Sequence, residues 1–181
     1  MGTTQQPLIT VVMPNYNGHR FVEQAIDSVL NQTYPNFELL VVDDCSKDNS
    51  LQLIQQKAQS DDRIRVIALE RNAGVANARN VGIEEAKGEY SALLDNDDLW
   101  TEDKLERQLA IAEKGADIVY CSYDFIDEQN STIKKPFIVP QQTNFNKMLA
   151  SSVISCSTSF IKTELMQAHP FNPDFYHEDY V

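Results

Sequence analysis

The sequence predicts an α/β fold, a three-layer αβα sandwich around a mainly parallel sheet. Short, near-continuous apolar runs alternate with segments of helical period in the order β-α-β-α-β-α-β. Strands apolar on both faces are those of a parallel sheet covered on each side by helices. The chain can also bury a normal core: of 181 residues, 42% are hydrophobic and 23% charged, a composition that suits one globular domain over residues 1–181.

The first strand, Leu8 to Met13, is rich in β-branched residues and is expected to stop at Pro14. From His19 to Gln32 the apolar positions Phe21, Val22, Ala25, Ile26, Val29 and Leu30 repeat at three and four, the stripe of an amphipathic helix. Phe37 to Val42 is the second strand, Ser50 to Ser60 a helix and Ile64 to Leu69 the third strand. Val75 to Lys87 reads as a helix closed by Gly88, and Tyr90 to Leu94 as the fourth strand. Thr101 is placed to cap a helix that runs to Lys114, with Leu105, Leu109 and Ala112 inward and Gly115 at its end. Beyond it the order loosens. Ile118 to Tyr123 reads as a strand, Asp127 to Asn130 as a turn, Thr132 to Val139 as an edge strand ending at Pro140, Asn144 to Ala150 as a short helix and Ser157 to Lys162 as a last strand.

Charge excludes some functions. Against 15 Lys+Arg stand 27 Asp+Glu, a formal net charge of -12, so nucleic acid or an anionic membrane surface is repelled unless a basic patch or bound cation intervenes. The longest basic run is Lys134-Lys135, too little to track a phosphate backbone. Cys45, Cys121 and Cys156 form no CxxC pair and suit a reducing, cytoplasmic compartment. MGTTQQPLIT lacks the basic flank and apolar core of a signal peptide, and no apolar run approaches the roughly 20 residues of a membrane span. The sequons at Asn31 and Asn130 read as chance.

In an open parallel sheet ligands bind at the carboxyl ends of the strands. The residues there share a chemical theme: Pro14-Asn15-Tyr16-Asn17-Gly18, Asp43-Asp44-Cys45-Ser46, Glu70-Arg71-Asn72-Ala73-Gly74 and Asp95-Asn96-Asp97-Asp98. An aromatic ring, an acceptor carboxylate, a glycine opening a helix and a carboxylate cluster suit a planar base, a ribose and a metal-bound diphosphate. Taken singly, Asn15 to Gly18 and Asp43-Asp44 also fit ordinary turns. Asp97 and Asp98 fit a helix N-terminus. That reading leaves unexplained why LLDNDDLW joins them directly to a buried strand, where close like charges call for a positive partner.

As a set, ITVVMPNYNG, SVLNQTYPNFELLVVDDCSKDNS, NAGVANARNVGI, KGEYSALLDNDDLW and FYHEDY resemble the family 2 glycosyltransferases from about Leu8 to Val181. The resemblance implies the GT-A (Rossmann-like) fold and transfer of a sugar, with inversion, from a nucleotide sugar, usually a UDP-sugar, to a hydroxyl of a glycan or lipid-linked acceptor in polysaccharide or glycan biosynthesis. It implies that Mg²⁺ or Mn²⁺ on the diphosphate is the missing partner, with Asp97 its direct ligand and Asp95 and Asn96 near ribose and sugar. Tyr16 then resembles the residue stacked on uracil, with Pro14 beside it, and Asp44 the acceptor of the uracil N3–H. Arg79 resembles the arginine that reaches the nucleotide or the metal-binding carboxylates; a helix-surface ion pair is the competing reading. Asp98 and Trp100 are expected to shape the loop.

Inversion needs one carboxylate to take the acceptor proton while a cation neutralises the leaving group. His177-Glu178-Asp179-Tyr180 resembles the family's E-D element, which implies Asp179 as the base, with Glu178 the alternative. The family continues beyond that element, so a C-terminal continuation is expected after Val181, along with weak transfer without it and a location at the cytoplasmic face of a membrane through that region or the acceptor. Two other classes stay open: a nucleotide-sugar-binding module without transferase activity, and a nucleotidyltransferase. The second wants a glycine-rich basic loop after strand one, which PNYNGHR does not supply.

Overall fold

The computed structural model describes residues 6–150 and 153–174. Four strands, β1 (Ile9–Asn15), β2 (Phe37–Asp43), β3 (Ile64–Ala68) and β4 (Tyr90–Leu93), alternate with the helices α1 (Val22–Leu30), α2 (Ser50–Ser60) and α3 (Val75–Glu84). Then come α4 (Lys104–Ala112), β5 (Ile118–Val119), β6 (Tyr123–Ile126), β7 (Thr132–Phe137), α5 (Phe145–Ala150), a 3₁₀ turn (Cys156–Thr158), β8 (Phe160–Lys162) and α6 (Thr163–Ala168). The main sheet has the order β3-β2-β1-β4-β8-β5. β1 pairs in parallel with β2 and β4, and β2 with β3, whereas β8 runs antiparallel to β4 and β5. This is the mainly parallel αβα arrangement that the sequence predicts, covered on both faces.

The strand pleat decides which helix lies on which face. Ile9, Val11 and Met13 of β1 cluster with Val22, Ile26 and Val29 of α1, Ile54 of α2, and Leu105 and Leu109 of α4. Opposite them, Val12 meets Ile83 of α3 and Met166 of α6, while Leu40 and Val42 of β2 meet Ala78 of α3. Each Val, Leu or Ile buried in this way contributes about 1.5–3 kcal/mol.

Several boundaries differ from the sequence expectation, each for a physical reason. β1 continues through Pro14 to Asn15. Val12 O accepts from Leu94 on the β4 side and Asn15 O from Asp44 on the β2 side. Pro14 therefore faces β4, whose pairing ends at Val12↔Leu93, so its missing N–H removes no sheet bond. α3 ends at Glu84 rather than Lys87, because the Lys87 and Gly88 N–H groups turn away to Glu38 Oε1 and Thr10 Oγ1 at 2.9 Å each. α4 is preceded by Asp103 rather than Thr101, whose hydroxyl donates to Asp103 Oδ1 at 3.1 Å.

The stretch read as one strand from Ile118 to Tyr123 is divided: β5 stays in the main sheet and β6 forms a separate antiparallel hairpin with β7. β7 is thus no edge of the main sheet. The turn expected at Asp127 to Asn130 joins the two, with Asn130 at φ 61° and Asp127 Oδ1 accepting from Gln129 N and Ser131 N. Of Ser157 to Lys162 only Phe160–Lys162 is strand, and α6 was not anticipated.

Candidate active site

The loops after β1 and β4 leave the sheet where the strand order reverses, since β2 and β3 lie on one side of β1 and β4 on the other. A crevice opens at such a point. Here it is a cleft of about 300 Å³ lined by Pro14, Asn15 and Tyr16 from β1, Asp44 after β2, Gly74, Val75, Ala78 and Arg79 from the start of α3, and Asp95, Asn96 and Asp97 after β4. All seven residues expected around nucleotide sugar and metal are brought together. Glu178 and Asp179, the two expected bases, lie outside the described residues, as does His177.

Tyr16 is 48% exposed, so its ring is open to a planar ligand. Asp44, by contrast, is buried. Its Oδ1 accepts from Ala73 N and its Oδ2 from Gly74 N, at 2.8 Å each. Gly74 stands at φ 90°, a left-handed conformation that costs glycine nothing. Each carboxylate oxygen keeps a second lone pair for a ligand N–H, so Asp44 both shapes the 72–74 loop and remains an acceptor on the cleft.

Arg79 is buried at 4% exposure, and its Nη2 lies 2.7 Å from Asp95 Oδ1. An ordinary pair on the helix surface does not describe it. Asp95 thereby has a positive partner within the chain. Asp97 and Asp98 are open to solvent in area, yet both carboxyls are pushed above the usual carboxylate range. Desolvation by the surrounding protein is the main cause, with the charge of Asp95 adding to it and that of Asp97 adding further at Asp98. The acidic loop is therefore short of positive charge at Asp97 and Asp98.

A metal fits that deficit. Among the described residues no group of three or more His, Cys, Asp or Glu side chains could hold an ion unaided. One or two carboxylates completed by substrate phosphates and water are the usual set for Mg²⁺, and Asp97, which lines the cleft, meets that requirement.

The loop is held from below by residues the sequence reading missed. Asp95 N donates to Ser157 Oγ at 3.0 Å. Trp100 Nε1 donates to Ser157 O at 2.8 Å, while Lys104 Nζ sits 3.9 Å above the Trp100 ring and donates to Gln108 Oε1. Trp100 thus ties the loop to the turn beneath it. No local signal marks Ser157, which reaches the site through the antiparallel pairing of β8 with β4. Gly74, Val75 and Ala78 carried a faint one, a glycine followed by small residues opening a helix.

Residues 10–168 match the family model Glycosyl transferase family 2. The chain belongs to that family. It is 38% identical over 175 residues to the UDP-Glc:alpha-D-GlcNAc-diphosphoundecaprenol beta-1,3-glucosyltransferase WfgD of Escherichia coli, covering 96% of this chain and 67% of WfgD. It is 37% identical over 163 residues to TuaG of Bacillus subtilis (strain 168), assigned by name to teichuronic acid biosynthesis as a glycosyltransferase, covering 90% of this chain and 65% of TuaG. Among solved structures, S. aureus TarS 1-349 in complex with UDP superposes with a TM-score of 0.76 at 25% identity over 95% of this chain and 52% of that one. The mannosyltransferase PcManGT from Pyrobaculum calidifontis, solved with GDP-Man and Mn²⁺, superposes at 0.74 with 22% identity over 98% of this chain and 51% of its own; that likeness is one of fold. The chain spans about two thirds of the length of these curated relatives and about half of the solved chains. Among the described residues no helix is long and apolar enough to cross a membrane.

Proposed function

We propose that this chain is the donor-binding and catalytic part of a glycosyltransferase that moves a sugar, with inversion, from a UDP-sugar to a hydroxyl of a glycan or lipid-linked acceptor, in the synthesis of a polysaccharide at the cytoplasmic side of a membrane. The observation that carries it is the convergence of Tyr16, Asp44, Arg79, Asp95, Asn96 and Asp97 on one cleft at the switch point of the sheet. Names of relatives and neighbours support a nucleotide-sugar donor, with UDP bound in TarS and a lipid-linked acceptor for WfgD.

In this reading Tyr16 stacks on uracil beside Pro14, and Asp44 accepts its N3–H. Arg79 holds Asp95 in place, Asp95 and Asn96 face ribose and sugar, and Asp97 ligates Mg²⁺ or Mn²⁺. When bound, the ion supplies positive charge to the departing diphosphate. Asp179, with Glu178 the alternative, takes the proton of the attacking hydroxyl.

Calorimetry of UDP against the unmutated chain and Asp97→Ala, with Mn²⁺ or with excess chelator, tests the donor reading. Affinity should fall both on removing the metal and on removing the carboxylate. Equal binding in all four conditions, or equal affinity for UDP and GDP, contradicts it. In the full-length enzyme Asp179→Asn should abolish transfer while leaving UDP affinity nearly unchanged; an active Asn variant would move the role to Glu178.

A further inference from the structure

Asn15 is 1% exposed, as is Asp43, and neither carries a role in the reading above. The donor end of Asn15 faces three oxygens. Its Nδ2 lies 2.7 Å from Asp43 Oδ1, 3.0 Å from Ser50 Oγ and 3.2 Å from Ser46 Oγ. None of the three has a proton to offer. Asp43, as a carboxylate, only accepts; Ser46 Oγ donates its hydrogen to Asp43 Oδ1, and Ser50 Oγ donates its own to Asp48 Oδ1. The Asn15 amide consequently has one orientation, with Nδ2 inward and Oδ1 outward. Turning it over would set its carbonyl oxygen against a carboxylate.

The outward Oδ1 accepts from Asn96 Nδ2 at 2.7 Å. That bond fixes a second amide by the same logic, because Asn96 must use its nitrogen on Asn15. Its own Oδ1 is left on the cleft, which Asn96 lines. The geometry is kept open by Gly18: a Cβ there would stand 2.2 Å from Asn96 Nδ2 and 2.3 Å from Asn15 Oδ1.

We propose that Asp43 and Asn15 are positioning residues that set the polarity of Asn96, so that it presents a hydrogen-bond acceptor and selects a donor substrate with a hydroxyl aimed at Asn96 Oδ1. The inference rests on the donor reading above. The hydroxyl belongs either to the ribose or to the transferred sugar, and the ligands used in the test separate the two.

Asp43→Asn is the decisive variant. Ser46 N–H holds an acceptor at the Oδ2 position, at 3.0 Å, which sends the new amide nitrogen to the Oδ1 position. There it faces Asn15, reverses it, and thereby reverses Asn96. Calorimetry with Mn²⁺ would compare UDP, 2′-deoxy-UDP, 3′-deoxy-UDP and UDP-glucose on the unmutated chain and on Asp43→Asn. If the hydroxyl is on the ribose, removing it from UDP should weaken binding about five- to tenfold in the unmutated chain and by a clearly smaller factor in the variant, where the hydroxyl can meet Asn96 only as an acceptor. If it is on the sugar, the affinity ratio of UDP-glucose to UDP should fall by a similar factor in the variant. A merely structural role for Asp43 would weaken all four ligands alike and would overturn the proposal.

Gly18→Ala severs the relay from the other side without deleting a polar group. The φ of Gly18 lies outside the left-handed region, so the backbone accepts alanine. This variant decides the matter if Asp43→Asn fails to fold, and it should show the same change in ligand ratios. Unchanged ratios in both variants, with normal UDP binding to the unmutated chain, overturn the relay alone. No binding of any of the four ligands to the unmutated chain overturns the donor reading and the relay with it.

Discussion

Tyr16 and Asp44 face the same cleft and differ in what else they do. The Asp44 carboxylate satisfies two backbone N–H groups, of Ala73 and Gly74, whereas the exposed Tyr16 ring has little to hold in place. Asp44→Ala should therefore cost about 1–3 kcal/mol of stability, the usual penalty for stranding partly buried donors, as well as UDP affinity. Tyr16→Ala should lower UDP affinity and shift stability by no more than about 0.5 kcal/mol. Urea unfolding beside calorimetry separates the two, and an Asp44→Ala chain as stable as the parent would mean that the 72–74 loop does not depend on it. The sequence made Asp44 legible because it directly follows an apolar strand. Its second task was not, since Ala73 and Gly74 stand about 30 positions away and meet Asp44 only once β3 lies beside β2.

At the scale of elements, α4 and the 3₁₀ turn form the floor of the acidic loop. Lys104 connects them: it is buried, donates to Gln108 Oε1, and Gln108 Nε2 in turn donates to Thr158 O at 2.8 Å. Burial pushes the Lys104 ammonium down to about 7, slightly opposed by Cys121. The unfolded chain holds that proton up to about pH 10.4, so between about 7 and about 10.4 it binds more protons than the folded chain, and stability rises with pH across that window. The cost of burying the charge is thus full below pH 7 and gone above about 10.4. Lys104→Met should raise the melting temperature most near pH 7 and progressively less toward pH 9, as read by scans of both proteins at each pH. A constant difference across that range would remove Lys104 as the titrating group. The amphipathic stripe of α4 was plain from Leu105, Leu109 and Ala112. The partner of that helix was not, because a 3₁₀ turn has no periodicity to read. The division of Ile118 to Tyr123 between two sheets was equally hidden, since a short apolar run carries no mark of the strand it will pair with.

For the whole molecule, the balance of charge sets how donor and metal must arrive. The chain carries a net charge of -12, and desolvation by the surrounding protein, with the charge of Asp95 adding to it, makes Asp97 and Asp98 hold their protons more tightly than usual. A diphosphate alone would meet repulsion there, and a cation alone would find the Asp97 carboxylate and too few further ligands. Each should therefore bind weakly by itself and strongly with the other. Thermal unfolding tests this without any need for transfer, because whatever binds the folded state raises the melting temperature by mass action. The donor-site residues all hang on β1, β2, β4 and α3, elements within the described residues, so the chain as it stands should respond. With UDP and Mn²⁺ together at about 100 times the dissociation constant the stabilisation is about 2.7 kcal/mol, or roughly 5–10 °C for a chain of this length. Mn²⁺ alone and UDP alone at the same concentrations should each give a small fraction of that shift, and Asp97→Ala should reduce the joint shift to the sum of the separate ones. Additive shifts in the unmutated chain would mean that metal and nucleotide bind apart, and that the carboxylates after β4 serve some purpose other than joining a cation to a diphosphate.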